Sequence, residues 1–191
     1  MKLLINSNSL ALWYDIIHDA EASCEIDLKE ELEAYLVFLM MRYTTRPEIA
    51  NQIMAVDFLH SLGLLRPAER ELGLQEVGDK CLIYSGLFPT LAEKRLVKIS
   101  YFIKLGQSAY GHISKTNSDL YGLLAQQFVS LMDIIQSLRQ QNESFPDLLP
   151  LQAYDLWNET GSKRAFSVLK RYTKSIPVVF DSEDSELRII K

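Results

Sequence analysis

The chain has 191 residues, 48% of them hydrophobic, with 20 Lys and Arg against 25 Asp and Glu and a formal net charge of −5. That length and apolar content fit one domain with a sizeable core and exclude a largely disordered chain. The acidic balance, with basic residues dispersed, excludes a broad electrostatic footprint for nucleic acid or an anionic membrane, and neither is expected as a partner.

At the N-terminus, MKLLINSNSLALWYDIIHDAE breaks its apolar residues with Asn6, Ser7, Asn8 and Ser9 and makes a poor signal peptide. Ser9 is placed to cap a first helix, on which Leu10, Trp13, Tyr14, Ile17 and Cys24 share a face opposite Asp15, His18, Asp19 and Ala22. Asp27, with Glu30 three positions on, predicts the start of a second helix. Its later part, residues 34–41, is apolar on every side and reads as the middle of the core. It is also the longest apolar run, well short of the roughly 18 residues of a membrane span.

Thr45 followed by Arg46, Pro47 and Glu48 predicts a third start, with Gly63 as a left-handed cap at its end. Pro67 opens a helix over residues 68–86, which finishes in GDKCLIYSGLFP at Phe88-Pro89. Ser100 is expected to cap the next, where Tyr101, Phe102, Leu105, Ala109 and Ile113 form the apolar face. Ser118 opens a long amphipathic helix over 119–141, its stripe running from Leu120 through Phe128, Leu131 and Ile135 to Leu138. Pro146 and Pro150 bracket a loop, Gly161 separates helices near 151–160 and 163–174, and Pro177 ends helical structure. The expected fold is all-α, a single-domain bundle of seven or eight helices over residues 1–176. Residues 177–191, apolar then acidic then apolar, form a tail that is docked or mobile.

Two cysteines, Cys24 and Cys81, are too few for a disulfide framework and lack the close pairing of a zinc or redox motif. A reducing cytoplasmic location follows as the expectation. GDKCLIYSGLFP has neither the Gly-Lys-Ser/Thr of a P-loop nor a Gly-x-Ser-x-Gly elbow. Cys81 has only Lys80 beside it in sequence, and neighbours on a helix point to different faces. The small residues Gly78, Cys81 and Ser85 at helical spacing instead predict a surface on which another helix packs closely.

This stretch and KRLVKISYFIKLGQSAY at 94–110 together resemble a motif pair of an uncharacterised family of bacterial proteins. The resemblance implies a bacterial source and carries no activity or site residues.

The histidines supply the sharpest chemical pattern. Asp15 with His18, and Asp57 with His60, each place a carboxylate and an imidazole three residues apart on a predicted helix, the spacing of di-iron and di-manganese bundles. Glu30, Glu33, Asp119 and Asp133 are further carboxylates available to an iron or manganese site. Against it, such bundles use Glu where these pairs have Asp, and His18 lies opposite its helix's apolar face. His60 and His112 read more simply as partly buried histidines with local hydrogen bonds. Lys163, Arg164, Lys170, Arg171 and Lys174 gather around Phe166 and Tyr172 as a solvated basic face near a helix end.

The sequence therefore leads to a helical protein–protein interaction or regulatory module without a recognisable catalytic constellation, with a protein partner or a homo-oligomer. Phe88, Tyr101, Lys170 and Arg171 are its candidate contacts. The alternative is a helical-bundle metal-dependent oxidoreductase or a small-ligand-binding protein.

Overall fold

In the computed structural model the described residues are 7–44, 54–89, 97–114, 119–140 and 148–172. Among them are nine α-helices and no strand: α1 (Ser7–Cys24), α2 (Glu30–Thr44), α3 (Met54–Gly63), α4 (Pro67–Leu87), α5 (Ile99–Ser114), α6 (Asp119–Gln126), α7 (Phe128–Gln140), α8 (Pro150–Thr160) and α9 (Lys163–Tyr172). They pack as one bundle around a single hydrophobic core. None is long and apolar enough to cross a membrane. The expected starts at Thr45 and Ser118, Lys174 and the 177–191 tail lie outside the described residues.

The count exceeds the expected seven or eight because the 119–141 helix divides at Gln127. The hydrogen-bond ladder continues across the division, from Gln127 N–H to Leu123 O at 2.8 Å and from Leu131 N–H to Gln127 O at 3.0 Å. Its stripe survives, with Leu124, Phe128, Leu131, Ile134 and Ile135 all buried.

Four expected caps fall elsewhere, Ser9 and Ser100 lying inside α1 and α5. Asp27 is not the N-cap of α2; the Lys29 carbonyl accepts from Leu32 and Glu33 N–H at 2.8 and 3.1 Å. The turn before it is held from α1: Glu25 adopts φ 54°, Ile26 N–H reaches Glu21 O at 3.1 Å, and Leu28 N–H reaches Glu21 Oε1 at 3.0 Å. Gly63 ends α3, but among the described glycines only Gly161 has positive φ, at 72°. There the expected division between α8 and α9 occurs, closed by Gly161 N–H to Trp157 O at 2.7 Å.

The helical stretch surrounded on every side is the second half of α4 and not residues 34–41 of α2. Leu36, Val37, Leu39 and Met40 of α2 are buried, but Phe38 is 52% exposed. In α4 every residue from Val77 to Gly86 is buried, between α3, α5 and α7. Close approach requires the glycines. A Cβ at Gly78 would lie 2.4 Å from the Tyr110 ring of α5, and one at Gly86 would lie 2.5 Å from Ile135 of α7. Across the interface Gly106 of α5 leaves room for Phe128 and for the Cβ of Cys81 in the same way. Helix packing through GDKCLIYSGLFP is thus what the structure shows. Tyr101, expected on the apolar face of α5, is 43% exposed, and Ile103, Gly106 and Tyr110 join Phe102, Ala109 and Ile113 inside.

Gly78→Ala should therefore destabilise the fold by about 1–3 kcal/mol, since the methyl group has nowhere to go. Gly111→Ala, on the same bundle but with nothing within 4 Å of the added Cβ, should leave stability unchanged or raise it by about 0.5–1 kcal/mol. Thermal melts of the two variants beside the wild type check this.

Candidate functional site

A buried charge lies in the middle of this packing. Asp79 follows Gly78 and is almost completely enclosed. Its Oδ1 accepts the Tyr35 hydroxyl of α2 at 2.5 Å and the Tyr110 hydroxyl of α5 at 2.7 Å, and its Oδ2 pairs with the half-exposed Arg42 guanidinium. Gln75 Nε2 adds a bond to the Tyr35 oxygen at 3.4 Å. Burial pushes the Asp79 carboxyl above its ordinary value, against the lowering pull of Arg42 and the two tyrosines. Burial and the adjacent Asp79 charge push both tyrosines up. Desolvation works against the charged form of Arg42, but the facing carboxylate outweighs it and raises its pKa. One acidic residue thereby joins α2, α4 and α5.

The cluster opens outward into a cavity of about 270 Å³ lined by Leu39, Arg42, Tyr43, Leu72, Gln75, Glu76, Asp79 and Lys80. Lys80 has a side chain only 10% exposed, with Glu76 Oε1 at 3.1 Å and Asp57 Oδ2 at 3.5 Å. The cavity wall thus carries two cations and two carboxylates beside aromatic and aliphatic surface, the mixed lining that can orient a small polar molecule. The sequence reading missed this group. The available signal was an Asp-Lys pair inside an otherwise apolar helical run, which cannot be buried without partners.

A second buried acid, Asp133 of α7, faces the start of α9. Its Oδ1 accepts Ser162 Oγ at 2.6 Å and its Oδ2 accepts Arg164 N–H at 3.3 Å, while Ser162 Oγ itself accepts Ala165 N–H at 3.0 Å. The carboxylate thus caps a helix from another element, where the helix dipole favours a negative charge. Burial pushes its pKa up to about 6, against the lowering effect of these bonds. Asp133 is accordingly part of this cap, away from the histidine pairs with which the sequence had grouped it. Beside it a cavity of about 320 Å³ is lined by Ser23, Cys24, Ser137, Arg164, Ser167, Val168 and Arg171.

The thiols are packing groups. Cys81 is fully buried, its S–H directed at Met54 Sδ at 3.6 Å, and burial pushes it up to about 12. Cys24 is likewise raised by burial and donates to Asp133 O at 3.7 Å. Neither environment favours a thiolate.

The histidine pairs separate. His60 is exposed, contrary to its expected partial burial, and Asp57 turns to Lys80. His112 is also exposed, its Nδ1 2.7 Å from Ser108 O and its ring edge-on to Phe58. Asp15 is exposed, and His18 lies against Glu21 and Glu33 instead of Asp15. Among the described residues that trio is the one group of three or more His, Cys, Asp and Glu side chains close enough to share an ion. Phe88 is half-buried against Tyr43 and Tyr84, and Tyr101 stands outside against Phe102. In the basic segment Arg164 is buried, Lys170 sits 4.5 Å over the Phe166 ring, and Arg171 is exposed at the rim of the serine-lined cavity.

Comparison with protein-family models, with curated proteins and with solved structures finds no match for this chain.

Asp79→Ala should cost about 3 kcal/mol or more, because it leaves the Tyr110 hydroxyl enclosed without its acceptor and removes the charge opposite Arg42. Denaturant melts read that loss. For Asp133 the native state holds the proton up to about pH 6, while the ordinary value is 3.8. Its contribution to stability is complete below about pH 4 and lost as the pH rises through about 6, on the order of 3 kcal/mol in all. The difference in unfolding free energy between wild type and Asp133→Asn should fall across that window and be flat above pH 7.

Proposed function

We propose that the protein acts by binding another protein, as a helical interaction or regulatory module of the bacterial cytoplasm. The observation that carries this reading is the large apolar side chains that α3, α4 and their connection leave exposed. At 100° per residue Met54 and Ser61 share the buried face of α3, and Val56 and Leu59 fall on the opposite one, 59% and 68% exposed. Leu65 in the connection is 96% exposed and Leu72 on α4 is 70% exposed. The two helices pack directly on each other, with Gly73 against Ser61, so these side chains belong to one supersecondary unit. Large apolar side chains left in water on one helix pair are what an interaction surface would use.

The ionisable groups of the interior support the same reading. Asp79 and Asp133 are each taken up in holding helices together, and Lys80 is balanced by Glu76 and Asp57. A second reading, binding of a small polar ligand, is favoured by the 270 Å³ cavity beside Arg42 and Lys80.

A photo-crosslinking amino acid in place of Leu59 or Leu72, expressed in the native cells, tests the first reading. The expected result is one discrete adduct from both positions, none from the exposed Lys104 on α5, and native mass spectra of the purified chain without retained small-molecule mass. Absence of a discrete adduct at either position, together with a retained mass lost on Lys80→Ala, would shift the assignment to the ligand cavity.

A further inference from the structure

The geometry points to a divalent metal site at the junction of α1 and α2, formed by His18, Glu21 and Glu33 and suited to zinc. This is independent of the interaction surface on α3 and α4. One ligand atom from each residue lies within 4.8 Å of the other two, with His18 Nδ1 3.6 Å from Glu21 Oε2. Zinc bound to nitrogen and oxygen at about 2.0–2.2 Å sets its ligands about 3.3–3.6 Å apart in a tetrahedral shell. The His18–Glu21 pair already has that separation. Glu33 is only half-buried and His18 is 78% exposed, so both have the freedom to close the remaining distance.

Glu21 is what distinguishes the trio from an ordinary surface cluster. Its side chain is only 8% exposed, and its Oε1 is fixed by Leu28 N–H at 3.0 Å. Oε2 faces the imidazole. Burial and the second carboxylate, Glu33, push the Glu21 carboxyl above its ordinary value, against the lowering effect of Leu28 N–H and the imidazole. A cation at this point relieves the repulsion between the two acids and uses the neutral imidazole as its third ligand. An open position remains for water, as in three-ligand zinc sites. One imidazole with two carboxylates suits a borderline cation such as zinc better than magnesium, which prefers an all-oxygen octahedron.

The chain order supports this placement. His18 and Glu21 are three residues apart on one helix and so share a face, and Glu33 sits in the first turn of the next helix. Glu21 already holds the intervening turn through its backbone oxygen and Oε1. The metal would therefore clip together two helices whose connection is preset, with little additional ordering.

The test uses the full chain stripped with chelator and titrated with Zn²⁺ alone. Expected are one zinc per 21.9 kDa chain by native mass spectrometry and a dissociation constant of about 10 μM or below by calorimetry. The melting temperature should also rise, and chelator should reverse the rise. His18→Ala and Glu33→Gln should each weaken binding about tenfold or more, while Asp15→Asn and His60→Ala leave it unchanged. Glu21→Gln keeps an acceptor for Leu28 N–H and should lose zinc while retaining the fold. No uptake at 100 μM zinc, or uptake by His18→Ala and Glu33→Gln equal to wild type, overturns the site.

Discussion

The structure depends on enclosing the second half of α4, which brings a carboxylate into the core along with the apolar residues. Helices approach to the distance found at Gly78, Gly86 and Gly106 only where there is no side chain in the way, and at that distance no water can follow. Asp79 is next to the first of these glycines, so its hydration must be replaced by protein donors. Tyr35, Tyr110 and Arg42 replace it from two other helices. Close packing and the polar cluster are therefore one constraint seen from two sides: without the glycines α5 could not bring the Tyr110 ring in, and without Tyr110 the carboxylate would be enclosed with an unmet oxygen.

The same economy governs the far end of the bundle. The Asp133 carboxylate caps α9 through space, where local sequence supplies only Ser162, and Gln136 of α7 donates to the Ser85 carbonyl of α4 at 3.0 Å. Each buried polar side chain on α7 thus completes a helix end that its own chain segment leaves open. Trp157 of α8 stacks on Phe166 of α9 with ring centroids 5.3 Å apart, and Lys170 covers the other part of that aromatic surface. The basic residues of α9 accordingly do separate jobs and do not form one uniform charged face.

Asp79, Lys80 and Asp133 are each paired inside the bundle, and other kinds of group gather at its surface and edges. Val56, Leu59, Leu65 and Leu72 stand exposed on α3, α4 and their connection, whereas the cavities near Lys80 and Arg171 are lined in part by charged and hydroxyl groups. The trio at the α1–α2 junction differs from both, because there two acids are drawn together beside one imidazole. Exposed apolar side chains, polar enclosure and adjoining acids thus occupy different parts of one small bundle.

What the sequence by itself determined was periodicity and punctuation. Apolar spacing placed the helices, Pro67, Pro150 and Gly161 bounded three of them, and the small residues of GDKCLIYSGLFP marked a close helix contact; all of these are local properties of the backbone. Only tertiary structure decided that the second half of α4 and not α2 is surrounded, that Asp79 meets Tyr35, Arg42 and Tyr110, and that His18 turns to Glu21 and Glu33 instead of Asp15. Nothing in a helix's own pattern says which neighbours will cover it. The partners of Asp79 come from residues 44 and 31 positions away, and a hydrogen bond across such a distance depends on how helices pack, which one-dimensional spacing does not encode.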